Sequence, residues 1–148
     1  MSSLARSRTV HASPEAVWNV LADFGAISRW ATNVDHSCLL TEHDVGVGAA
    51  RRVQAARTTL IERIVTWQPP ARLAYELEGL PPAVRSACNR WDLTADGAGT
   101  RVTLTTTVDA GPRPPQQLVA RLVCRLIGRQ SDVMLAGLTA ATEGSARV

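Results

Sequence analysis

Arg51 and Glu62 are the residues of this 148-residue chain best placed to do chemistry, because each falls on a strand face whose other members are mostly apolar. A lone charge on such a face is expensive, whereas a paired one persists and can hold a ligand's hydroxyl or carboxylate. Either the pair lines a binding cavity or it only ties two strands together. Tyr75 shares that face and brings a ring for packing and a hydroxyl that wants a partner when buried. Asn89, Thr106 and Gln130 are further polar candidates, each of which could equally be a satisfied interior group. In a catalytic reading, Glu62, Tyr75 or Arg51 would move protons.

Other chemistries lack support. His36 and Cys38 share a strand face, but His43 has the wrong parity to join them and no carboxylate cluster completes a site, so no metal is expected. The G-x-S-x-G, G-x-G-x-x-G and G-x-x-x-x-G-K-[ST] patterns are absent, which removes the usual signs of hydrolase, dinucleotide and nucleotide-phosphate chemistry. No cofactor is therefore expected. Three widely spaced cysteines, Cys38, Cys88 and Cys124, read as buried thiols rather than a disulfide framework. The net charge is +3 and every basic residue is arginine, but the arginines are scattered among thirteen acids, without the concentrated patch that nucleic acid requires. The opening MSSLARSRTV has no apolar run after its arginines, and no later stretch reaches the ~20 apolar residues of a membrane span, so a cytoplasmic protein is expected.

The elements that must position these residues follow from periodicity. Length and composition fit one domain over 1–148. Ser13 caps a helix, Pro14 takes its first position and Glu15 its first turn, while Val17, Trp18, Leu21 and Phe24 form an apolar stripe. A second short helical turn runs through FGAISRW. From Val34 to Val108 the period drops to two, with turn signals at DVGVG, AR, QPP, GLPP and DGAG. Six strands fit near 34–42, 49–55, 58–67, 72–78, 84–94 and 100–109, and the run before Ser13 makes seven.

Directly opposed residues of a hairpin point to one side, so the turns test the faces independently. A two-residue turn at Ala56–Arg57 sets Val53 opposite Leu60 and Arg51 opposite Glu62. The next turn sets Ile64 opposite Tyr75 and Glu62 opposite Leu77, and the DGAG turn sets Trp91 opposite Leu104 and Asn89 opposite Thr106. The shared face is mostly apolar and should look inward. Strand 58–67 conflicts, because Ile61, Val65 and Trp67 take the outer side; a bulge or slipped turn there would reverse the assignment of Glu62.

After DAGPRPP the period returns to 3.6. Leu118, Leu122, Leu126, Val133, Met134 and Leu138 then form the inward stripe of a long helix starting at the prolines and stopping near Gly144, with Gln130 one turn from Leu126 and Met134. Arg121, Arg125 and Arg129 form a solvated face, with weak contact to an anionic surface as the alternative.

The order strand, two short helices, six-strand meander and long helix, with SPEAVWNVLADF, VGVGAARRV, IERI and GTRVTLTTTV at these places, resembles the START-like helix-grip (SRPBCC) superfamily, which includes polyketide cyclase/dehydrase, lipid-transport and pollen-allergen-like members. The resemblance implies an α+β fold in which a seven-stranded antiparallel sheet curves around the C-terminal helix and leaves a cavity. The two short helices close one end, with Val17, Trp18 and Leu21 as the plug, and Gly79, Leu80 and Pro81 form a lid at the entrance. Arg51 of G-x-x-R-x-V and Glu62 of ER[LIV] resemble cavity-lining positions of family members. The expected function is binding of a lipid, polyketide or isoprenoid-like molecule, with Arg51 and Glu62 on its polar end and Tyr75, Trp91, Leu104, Leu126 and Met134 on its body. An aromatic polyketide cyclase or dehydratase is the enzyme alternative, and a protein-interaction or toxin-like member without ligand the third. Monomer and homodimer are both open.

Overall fold

The computed structural model describes residues 1–43 and 45–146, the last two by backbone alone, so that Asp44 in the DVGVG turn lies outside the described residues. The element order is β1 (Ser2–Val10), α1 (Pro14–Ala22), a 3-10 helix (Phe24–Arg29), β2 (His36–Leu39), β3 (Ala50–Ala55), β4 (Thr58–Gln68), β5 (Arg72–Glu78), β6 (Ser86–Asp96), β7 (Gly99–Asp109) and α2 (Pro114–Ala146). The strands form one antiparallel sheet in the order β1-β7-β6-β5-β4-β3-β2, so the first strand closes on the last and the rest is a meander. With α2 packed on β1 and β7, this is the α+β helix-grip arrangement.

The hairpin registers match those expected. Arg51 pairs with Glu62 and Val53 with Leu60 across the Ala56–Arg57 turn, where Ala56 takes a positive φ of 53° and donates its N–H to Asp35. Ile64 pairs with Tyr75 and Glu62 with Leu77. Trp91 pairs with Leu104 and Asn89 with Thr106. A bulge between Ile64 and Thr66 removes one part of the conflict in β4 by bringing Trp67 opposite Leu73 on the inner side, while Ile61, opposite Arg52 and Glu78, and the exposed Val65 stay on the outer side. The slip falls beyond Glu62, so Glu62 keeps its inward position.

Ser13 caps α1 by accepting from the Ala16 N–H, with Pro14 in the first turn. Val17, Trp18 and Leu21 are buried, and Trp18 meets Trp67 edge to face at 5.0 Å between centroids. The plug helix therefore closes on the bulged end of β4.

The long helix departs from expectation. Pro114 and Pro115 lie inside its first turn, where a missing N–H is tolerated, and Gly144 lies within it rather than ending it. Its buried face is Ala120, Cys124, Gly128, Ser131, Leu135, Leu138 and Thr142, whereas Leu118, Leu122, Leu126 and Val133 point outward. The cause is close approach. Cys124 Sγ contacts the carbonyls of Ser2 and Thr106, Gly128 faces the Leu4 side chain, and a Cβ at Gly137 would overlap the Trp30 carbonyl. Small residues let the helix sit tight on the sheet, and the larger leucines are turned away. Met134 and Leu138 are buried as expected. No described helix is long and apolar enough to cross a membrane.

Candidate functional site

The inner face of β3 and β4 presents Arg51 and Glu62 across one register pair, 2% and 6% exposed. Arg51 Nε donates to Glu62 Oε1 at 2.8 Å, Nη2 lies 2.7 Å from the same oxygen, and Nη1 donates to the Phe24 carbonyl at 2.9 Å. Both contacts with the carboxylate thus use a single oxygen. Oε2 takes no donor among the described residues, and the Glu62 side chain retains 8% exposure. The guanidinium carbon lies 3.7 Å from the Phe24 ring centre and 4.7 Å from that of Tyr75, close enough for cation–π attraction from both. These are the chain's only phenylalanine and only tyrosine, and they meet edge to face at 5.6 Å.

Around this centre lies a second polar layer. Trp91 Nε1 donates to the Tyr75 hydroxyl at 3.2 Å, and Thr106 Oγ1 donates to Asn89 Oδ1 at 2.7 Å. Burial, followed by the Glu62 carboxylate, pushes the Tyr75 phenol up to about 12 against smaller opposing effects of Arg51 and the hydrogen bonds. At neutral pH Tyr75 therefore offers a hydroxyl that accepts and donates hydrogen bonds but is no base. Trp30 stacks edge to face on Trp91 at 6.0 Å, so the tryptophans too are paired.

The structure brings Arg51, Glu62, Tyr75, Asn89, Trp91, Leu104 and Thr106 to one buried face, with Met134 buried on α2. It does not bring Leu126 or Gln130 there: both are exposed, because the buried face of α2 is the one carrying Cys124 and Gly128. Of the expected lid, Gly79 and Pro81 are exposed and Leu80 is half-buried, with Gly79 at φ +93°. Among the described residues, two surface clefts flank α2 and neither is lined by Arg51 or Glu62. One of about 500 Å³ lies between Ala16, Val20, Asp23, Arg29, Trp30 and Thr142; the other, of about 280 Å³, lies between Pro82, Arg85, Pro115, Gln116 and Val119. The polar centre itself is covered by side chains.

Sequence reasoning missed Phe24. Its spacing places it on the stripe of α1, but the helix ends at Ala22, and Phe24 opens the 3-10 helix with its ring and carbonyl both on Arg51. The available signal was FGAISRW, the second short helical turn, which begins at Phe24. Only Cys124 is a buried thiol, whereas Cys38 is exposed and Cys88 half-buried. No cluster of metal-ligating side chains occurs among the described residues.

Residues 1–143 match the family described as polyketide cyclase / dehydrase and lipid transport. An uncharacterised protein of Mycobacterium tuberculosis is 30% identical over 122 residues, which are 80% of this chain and 72% of that protein. A solution structure from Thermobifida fusca is 28% identical with a TM-score of 0.79, covering 96% of this chain and 93% of that one. The Zhui aromatase/cyclase of a Streptomyces species has a TM-score of 0.76 at 21% identity over 96% of this chain and 93% of its own, a likeness of fold alone.

Proposed function

This chain belongs to the polyketide cyclase / dehydrase and lipid transport family, within the START-like superfamily, and from that premise we propose that it binds a small hydrophobic or amphipathic molecule between its sheet and α2. A lipid, polyketide or isoprenoid-like compound fits this description. The observation that carries the reading is the buried Arg51–Glu62 pair with one carboxylate oxygen unused. Hydrophobic replacement of a buried ion pair is often neutral or stabilising, so such a pair is poorly accounted for by stability alone. Glu62 Oε2 would accept a ligand hydroxyl, and a ligand carbonyl or carboxylate would compete with the Phe24 carbonyl for Arg51 Nη1. Because Phe24 begins the 3-10 helix, that competition would loosen the plug, and the loop carrying Gly79, Leu80 and Pro81 would yield as the lid. Trp91, Leu104 and Met134 would contact the ligand's body.

A cyclase or dehydratase is the second reading, favoured by a carboxylate held inside an apolar face. In that case Glu62 moves the proton, and Tyr75, held as a phenol, positions a substrate oxygen by hydrogen bonding. Native mass spectrometry of protein purified from its own host, together with thermal shifts in lipophilic extracts, tests binding directly. Binding predicts a co-purified small molecule and an affinity altered by Glu62→Gln. Catalysis predicts conversion of a poly-β-ketone surrogate, slowed by roughly 10²–10⁴ in that variant. If extracts and surrogates both have no effect, a ligand-free interaction protein replaces both readings.

A further inference from the structure

The outward face of α2 combines two features that a purely solvated helix would not. Leu118, Leu122 and Leu126 recur one turn apart at 58, 53 and 60% exposure, and Val133 continues their line at 37%. Half-buried Val119 and Val123 widen the strip. Arg121, Arg125 and Arg129 recur at the same spacing along its border, all exposed and none in an ion pair among the described residues. Exposed Arg113 precedes the helix.

We propose that this face docks flat on an anionic lipid bilayer, the leucines entering the headgroup boundary and the arginines meeting lipid phosphates. An interfacial helix needs an apolar strip bordered by cations, and α2 offers both over its first four turns. Charge decides against a second copy of the chain as the occupant. The carboxylates of α2 are Asp132, which pairs with Arg6 at 3.7 Å, and Glu143, which accepts the His11 N–H at 3.1 Å. Two copies meeting through this strip would bring arginine rows together without free acids to receive them, whereas an anionic surface receives every one. The docking stands whether or not the interior holds a ligand.

Full-length protein is floated with vesicles of phosphatidylcholine alone and of phosphatidylcholine mixed with phosphatidylglycerol, at low and high salt. The expected result is partition to the mixed vesicles, weakened by salt and much reduced on phosphatidylcholine alone. Arg121→Gln and Arg125→Gln should each weaken it about fivefold, from the electrostatic attraction of one cation at an anionic surface. Leu122→Ser with Leu126→Ser should weaken it roughly a hundredfold, from the apolar burial of two leucines. Because these four side chains are exposed, melting curves should show folded variants, separating lost docking from lost fold. No partition to the mixed vesicles, equal partition to both kinds, or unchanged binding of the double leucine variant overturns the proposal. So does a dimer in sedimentation equilibrium that the leucine variant dissociates, because the strip then belongs to a second copy.

Discussion

Arginine lies beside apolar surface in two regions of this molecule, and the two treat it in opposite ways. On the inner sheet face Arg51 is fixed from three sides: by Glu62 across the strand pair, by the Phe24 carbonyl from the plug, and by the rings of Phe24 and Tyr75. On the outer face of α2, Arg121, Arg125 and Arg129 border leucines with no partner in the described chain. A charge removed from bulk water needs partners held in place by the fold, because water no longer solvates it. A charge left in water needs none, and the fold specifies only where it stands. The inner region is thus preorganised around its own groups, and the outer one is complete only against something external.

The sharpest way to break this comparison is to delete the arginine on each side. Arg51→Ala leaves the Glu62 carboxylate buried without its cation and should destabilise the protein by about 3–5 kcal/mol in denaturant unfolding. Replacing both partners, Arg51→Met with Glu62→Leu, should recover most of that loss. Arg125→Ala should leave the unfolding midpoint nearly unchanged. If Arg51→Ala and Arg125→Ala cost the same, the inner pair is not the anchored group described here.

A second test uses pH. Tyr75 titrates at about 12 in the folded protein, against 10.0 for the free side chain. Below the lower value both states hold the phenolic proton and Tyr75 contributes no pH dependence to stability. Between the two, the unfolded chain releases its phenolic proton while the folded chain retains it, so stability falls as pH rises, by up to about 3 kcal/mol in all. Tyr75→Phe should remove this slope. Tyr75 is the chain's only tyrosine, so phenolate absorbance reports it alone, and a midpoint near the free value would show the inner face to be open to water.

The inner face was legible in the sequence because two independent signals agreed. Alternation named the candidate faces, and hairpin geometry required Arg51 to oppose Glu62 and Ile64 to oppose Tyr75, so an error in one would have contradicted the other. The bulge at Val65 was visible only as a conflict, since alternation says that a register must slip but not where. For α2 there was one signal, the 3.6 period, and it held only for Met134 and Leu138. The apolar residues of α2 span most of the helix circumference, and the period led to Leu118, Leu122 and Leu126 rather than to the Ala120, Cys124 and Gly128 that face the sheet. Nothing in a helical period distinguishes a small-residue contact face from a polar one when the neighbouring strand is unknown. The closeness of β1, which makes those small residues necessary, is a tertiary fact.

The smallest expected effect tests that correction most directly. Leu126 and Cys124 are two residues apart on α2, and by size alone the leucine would be the core residue. Cys124 instead sits against the Ser2 and Thr106 carbonyls, so Cys124→Leu must force the helix off β1 and β7, at a cost of about 1–3 kcal/mol from overpacking. Leu126→Ser removes a large apolar side chain that has already remained in water, and should shift stability by no more than about 0.5 kcal/mol. A loss of about 2–5 kcal/mol for Leu126→Ser, the value for a truncated core leucine, would place the strip inside the protein. The helix would then be rotated from the orientation found here, and the outer arginines would turn toward the sheet with it.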